Sequence, residues 1–118
     1  MSYKFEMAWP PSVNGYWRTF RNRQIISKRG REYRKNSLLM LEQLGLSNEK
    51  LSSRLSVSVM LNPPTLRKYD VDNFTKAAFD ALSVANFWLD DEQVDRLTVT
   101  KGIKAKGGNI QIKVEVIQ

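Results

Sequence analysis

Four stretches of the chain alternate apolar and polar positions with the period of a strand. In 3–8, Tyr3, Phe5 and Met7 face one way and Lys4, Glu6 and Ala8 the other. In 54–62, Leu55, Val57, Val59 and Leu61 stand against Ser56 and Ser58. The stretch 95–103 runs through Leu97, Val99 and Ile103, and 109–117 sets Ile110, Ile112, Val114 and Val116 against Gln111, Lys113 and Glu115. Two other stretches repeat at helical spacing. Ser27 is the predicted N-cap of a helix over 28–44, with Tyr33, Ser37, Met40, Leu41 and Leu44 on one face and Gly45 as its stop. A second helix, over 73–84, presents Phe74, Ala77, Ala78, Ala81 and Leu82 to the core.

The punctuation between these elements is equally plain. Trp9-Pro10-Pro11-Ser12 ends the first strand, because proline cannot donate to a ladder. Asn14-Gly15 marks a turn, and 16–26 predicts an irregular basic arm or a short hairpin ending at Ile25-Ile26. Asn62-Pro63-Pro64 breaks the second strand, 67–72 reads as extended, and 86–91 is a loop that carries Phe87, Trp88 and Leu89. The order β-α-β-α-β-β predicts a two-layer α+β fold, with two helices packed on a mixed, mostly antiparallel four-stranded sheet. Its 118 residues suit a single domain over 1–118. Gly107-Gly108 predicts an antiparallel hairpin between the last two strands.

Composition narrows the chemistry. There is no histidine, which excludes His-dependent serine triads and removes the usual general base at neutral pH. There is no cysteine, so thiolate zinc sites, disulfides and cysteine nucleophiles are excluded. No apolar run approaches the roughly 18 residues of a membrane span, and the opening residues alternate instead of forming a basic-then-apolar signal. These features predict a cytoplasmic protein. Any catalysis must rest on carboxylates, lysine, tyrosine or a hard metal ion.

The net charge of +7 changes the picture through its distribution. Residues 18–35 carry eight basic side chains against Glu32 alone. Residues 69–95 carry seven acids against Lys76 alone, out of 12 acids in the chain. Like charges repel, so such a gathering of acids in a basic protein predicts a positive partner among them. Asp70 and Asp72 are two apart, and in extended chain positions i and i+2 point to one side. Mg²⁺ takes oxygen ligands and keeps several waters, so two or three carboxylates beside a phosphate suit it. Asp90 and Asp91 return to the same region after one helix. Lys76, four residues after Asp72, is placed to meet a phosphate.

Plainer roles compete for the same residues. An Asp-x-Asp before a helix also serves as a cap, with Asp72 accepting from first-turn N–H groups. Asp90-Asp91-Glu92 also makes a solvated turn or cap, and Lys76 also pairs at i,i+4 with Asp80 or with Asp72. The conjunction of an acid cluster, no histidine and a basic arm points to metal-dependent phosphate chemistry on nucleic acid.

The motifs resemble the RusA-type Holliday junction resolvases of phages and bacterial prophages. The likeness lies in Trp9-Pro10-Pro11-Ser12, Asn14, Tyr16 and Arg18, and above all in Asp70-Val71-Asp72-Asn73, Lys76-Ala77-Ala78-Phe79-Asp80-Ala81-Leu82 and Phe87-Trp88-Leu89-Asp90-Asp91. It implies a Mg²⁺-dependent homodimer, with Mn²⁺ a substitute, that nicks two opposing strands of a four-way DNA junction. It implies metal ligation by Asp70, Asp72 and Asp91, a lesser role for Asp90, and Lys76 as a catalytic or DNA-contacting base. Candidate DNA contacts are Arg18, Arg21, Arg23, Lys28, Arg29, Arg31 and Arg34, with Arg67, Lys68, Tyr69 and Asn73 beside the acids. Tyr69 departs from the unbroken basic run that often precedes the first aspartate. The alternatives are a nuclease for other structured nucleic acid, or a non-catalytic DNA-binding phage protein.

Overall fold

The structure, a computed structural model, describes residues 1–117. Strand β1 (Ser2–Ala8) is followed by a one-turn helix α1 (Val13–Tyr16) and a small hairpin of β2 (Trp17–Phe20) and β3 (Arg23–Ile26). Helix α2 (Lys28–Gln43), β4 (Arg54–Asn62), α3 (Lys76–Val84), β5 (Val94–Lys101) and β6 (Asn109–Ile117) complete the chain. Four strands form one sheet in the order β1-β6-β4-β5. The β1–β6 and β6–β4 pairs are antiparallel, and β4–β5 is parallel. The α+β class and the mostly antiparallel sheet are as predicted.

The inward residues of the sheet follow the alternation. Met7, Leu55, Val57, Val59, Leu61, Ile110, Ile112 and Val114 are all buried, and register aligns Val57 with Val114 and Val59 with Ile112. Tyr33, Ser37 and Leu41 of α2, and Ala77, Ala78, Phe79, Ala81 and Leu82 of α3, complete the core. Burying each large aliphatic side chain contributes about 1.5–3 kcal/mol. Three alanines on α3 leave room for it to lie close to its neighbours. Ser27 caps α2 as predicted, its Oγ accepting from the Gly30 N–H at 3.0 Å.

One predicted connection is wrong. The last two strands are not a hairpin: β5 lies outside β4 at the sheet edge, and β6 is inserted between β1 and β4. Helix α3 carries the chain back over the sheet, so β5 runs parallel to β4. The 102–108 connection then passes the end of β4. Gly102 sits so close that a Cβ there would collide with the Asn62 side chain. Gly107 and Gly108 do form a turn, both at positive φ, but within this longer connection. Burial explains the placement. The three fully buried residues of β6 suit an interior strand, whereas Leu97 of β5 stays 44% exposed.

Other boundaries shift. Helix α3 begins at Lys76, not 73, and leaves Phe74 half-buried in the preceding segment. Strand β5 ends at Lys101, so Ile103 stands exposed beyond it. On α2, Leu44 is exposed and Met40 only half-buried. The 16–26 arm resolves into the hairpin, turned by Arg21 and Asn22 at positive φ (50° and 62°), the geometry of the tight turns that match strand twist. Among the described residues, no helix is long and apolar enough to cross a membrane.

Candidate active site

The candidate residues lie in two segments that flank α3. The first, 63–75, leaves β4 and carries Asp70 and Asp72. Three rings hold it down: Trp9 packs on Phe74 at 4.8 Å and on Tyr69 at 5.8 Å, and Tyr69 meets Phe74 at 5.7 Å. The chain is not extended through Asp72 as expected: a turn closes where the Asn73 N–H donates to the Asp70 carbonyl at 3.3 Å, and the Val13 N–H donates to the Asn73 carbonyl at 2.9 Å. Lys101, at the end of β5, donates to the Tyr69 carbonyl at 2.6 Å and lies 4.6 Å over the Tyr69 ring. An open cleft of about 520 Å³ is lined here by Lys68, Tyr69, Asp70, Asn73, Phe74 and Lys101.

The second segment, 85–93, turns inward before it turns back. Phe87 and Trp88 are fully buried; Phe87 meets Tyr3 at 5.3 Å and Phe5 at 5.4 Å, and Trp88 meets Phe79 at 5.3 Å. The Trp88 Nε1–H donates to Ser83 Oγ at 2.7 Å. These anchors deliver Asp90 and Asp91 to the flank of α3. Asp90 caps the 3₁₀ turn Asp91–Gln93, accepting from the Glu92 N–H at 3.1 Å. Asp91 is partly shielded from solvent. Burial first, then a hydrogen bond shared with Asp90, raises its carboxyl pKa above the ordinary range, and the Lys76 ammonium pulls the other way.

The competing plain roles divide cleanly. Asp72 does not cap α3, whose N-cap position is Thr75 with no side-chain cap bond. Among the described residues, the side chains of Asp70 and Asp72 engage no hydrogen bond or ion pair. Asp90 does cap. Lys76 does pair with Asp80, at 3.1 Å. Burial first, and more weakly the nearby Asp80 charge, raise the pKa of the Tyr16 hydroxyl, which accepts from Arg34 Nη2 at 2.9 Å. The sequence singles out neither the Arg34–Tyr16 bond nor Lys101, because only packing between separate elements creates them.

The basic residues spread over one hairpin and one helix. Arg18 and Arg21 are exposed and flank the Phe20 ring at 5.6 and 5.2 Å, and Arg23 is exposed beside them. Lys28, Arg29 and Arg31 lie on the first turn of α2, with Arg29 and Arg31 exposed and Arg31 donating to the Ile26 carbonyl at 2.9 Å. Arg34 turns inward to Tyr16, and its Nε is buried without a partner. Arg67 and Lys68 are exposed; Tyr69 and Asn73 are half-buried.

The donor set fits a hard divalent cation, since free aspartate oxygens are what such an ion takes. Among the described residues, however, no three acidic side chains lie close enough together to share one ion. Asp70 and Asp72 precede α3 along the chain, and Asp90 and Asp91 follow it.

Such an arrangement, acids flanking one helix in a chain with a basic hairpin and helix, suits a protein that meets phosphate groups through a cation and basic side chains. The model of the Endodeoxyribonuclease RusA family matches residues 8–116, and the chain belongs to that family. A crossover junction endodeoxyribonuclease of Enterobacteria phage HK97 is 38% identical over 116 residues, covering 98% of this chain and 96% of that protein. Those of Shigella sonnei (strain Ss046) and Escherichia coli (strain K12) are 38% and 37% identical over 113 residues, each covering 96% of this chain and 93% of its own length.

Proposed function

We propose that this chain is a Mg²⁺-dependent endodeoxyribonuclease that resolves four-way DNA junctions as a homodimer, with Mn²⁺ able to substitute. The observation that carries the reading is the unengaged Asp70–Asp72 pair, in a family whose relatives are named crossover junction endodeoxyribonucleases. Asp70, Asp72 and Asp91 would hold the ion, with Asp90 supporting Asp91. When bound, a divalent cation lowers the pKa of an attacking water and neutralises charge on the phosphate. Lys76, held by Asp80, presents its ammonium to the charge that builds on the phosphate oxygens. Arg18, Arg21, Arg23, Lys28, Arg29, Arg31, Arg67 and Lys68 supply the phosphate contacts that position the junction. A two-fold dimer presents the site twice, as paired nicks in opposing strands require.

The test is Asp70→Asn. The variant keeps junction binding and loses cleavage by at least about a hundredfold, the several kcal/mol that metal chemistry supplies. Cleavage of junctions at the wild-type rate in Mg²⁺ would reject the assignment.

A further inference from the structure

The turn that bears Asp70 and Asp72 is clamped on both sides. After Asp72, the Asn73 carbonyl is held by the backbone N–H of Val13. Before Asp70, the Tyr69 carbonyl is held by the side chain of Lys101. The first clamp is main chain, and almost any residue at position 13 would supply it. The second depends on one side chain from the neighbouring strand.

We infer that Lys101 is a positioning residue, which fixes the backbone entering Asp70 and so sets where that carboxylate stands. Three observations carry this. The Lys101 ammonium, a charged donor, bonds to the Tyr69 carbonyl at 2.6 Å. The ammonium also sits 4.6 Å above the Tyr69 ring, whose negative face attracts it. Tyr69 itself is wedged edge-on against Trp9 and Phe74, so the clamped carbonyl belongs to an anchored residue. Lys101 therefore ties the sheet edge to the residue next to Asp70, and forms no ion pair with Asp70 itself although both line the cleft. An aromatic at position 69 suits this role, since its ring provides the second half of the seat. The inference rests on the assignment of Asp70 and Asp72 to the metal.

Lys101→Met removes the charge and the donor but keeps the stem, and Lys101→Arg keeps a donor that also stacks on rings. In metal-free protein, Lys101→Met should speed amide exchange at Asn73 and Val13 by about tenfold or more, the loss of one charged hydrogen bond. It should also raise the half-saturating Mg²⁺ concentration for junction cleavage. At saturating Mg²⁺ cleavage falls by tens of fold, since small misplacements near the chemistry cost up to about a hundredfold. Lys101→Arg should recover most of both effects. Junction affinity and its salt dependence should stay as in the wild type. The inference is overturned if exchange and Mg²⁺ dependence are unchanged. It is equally overturned if the slope of log affinity against log salt drops by about one, because Lys101 is then a phosphate contact. Asp70→Asn run in parallel separates the two levels. If that variant still cleaves, the site assignment itself has failed, and the role of Lys101 falls with it.

Discussion

Gln93 is the buried polar residue on which the second acidic segment hangs, and removing its side chain is the sharpest test of how Asp91 is held. It is 6% exposed. Its Oε1 accepts from the N–H groups of Leu89 at 2.9 Å and Asp90 at 2.8 Å. Its Nε2 donates to the carbonyls of Leu51 at 2.8 Å and Ser53 at 2.9 Å. All four partners are backbone groups outside the main sheet, where only an isolated bridge between Leu51 and Trp88 pairs the two segments, so this one amide extends that short pairing. Each such bond contributes about 1 ± 0.5 kcal/mol net. The Leu89 N–H keeps a longer bond to the Leu51 carbonyl, at 3.2 Å, and so retains part of its share. Gln93→Ala should therefore cost about 3–4 kcal/mol. A chain of 118 residues has a total stability of roughly 6–18 kcal/mol.

At about 4 °C per kcal/mol for a chain of this size, the expected fall in Tm is about 12–16 °C. Calorimetry and urea unfolding, with the m-value checked for constancy, measure it. Gln93→Glu refines the test: its carboxylate still accepts from Leu89 and Asp90 but opposes the carbonyls of Leu51 and Ser53. It should recover little of the lost stability at neutral pH and more at acid pH, where the protonated carboxyl donates. Cleavage by Gln93→Ala, assayed at a temperature where it is fully folded, should fall as well, because the Asp90–Asp91 turn loses its tie to 51–53. A loss below about 1 kcal/mol would refute the four-bond network.

Two further predictions concern charges that the structure sorts apart. Charge reversal at Arg29 or Arg31, both exposed, should weaken junction binding steeply at low salt and leave Tm within a few degrees; Arg34→Ala, whose guanidinium holds the Tyr16 hydroxyl, should instead lower Tm. Equal behaviour of the three in paired binding and melting assays would sink that distinction. The Arg54 guanidinium, bonded to Asp95 and Glu92, holds the Asp95 carboxyl below its usual range. A depressed folded-state pKa stabilises above the unfolded value near pH 4 and is lost as pH falls through the folded one. Asp95→Asn should therefore flatten the acid limb of the stability curve below about pH 4, and an unaltered limb would show that the pair contributes nothing.

Element types and inward faces were legible because they follow from local periodicity. Leu55 to Leu61 and Ile110 to Val114 read as strands wherever they pair, and Ser27 caps wherever its helix starts. The order of strands was not legible, because it depends on the α3 crossover and on which strand has two apolar neighbours. The Gly107-Gly108 turn pointed to a hairpin, and a glycine pair turns the chain equally well inside a longer connection. Motif residues were named from spacing, but their duties separated only in three dimensions. Asp90 caps, Lys76 pairs with Asp80, and Asp70 and Asp72 do neither. Tyr16 and Arg34 carry no signal as partners, since they lie in different helices and meet through packing alone.

The asymmetry between the two acidic groups bears on how the proposed site assembles. Asp91 is fixed from several directions: Trp88 and Phe87 sunk in the core, the cap from Asp90, and four bonds from Gln93. Asp70 and Asp72 stand on a turn held by two carbonyl clamps and three rings at its base. Displacing Asp91 would break a buried network, whereas the Asp70–Asn73 turn is tied to the rest of the fold by one main-chain bond and one side-chain bond. On the proposed assignment, the Asp91 side is anchored through the core, and the Asp70–Asp72 side depends on its two clamps and the rings beneath it. On that assignment, Lys101→Met should weaken metal binding more than a core substitution of equal stability cost, and equal effects in metal titrations would refute the role of the clamp.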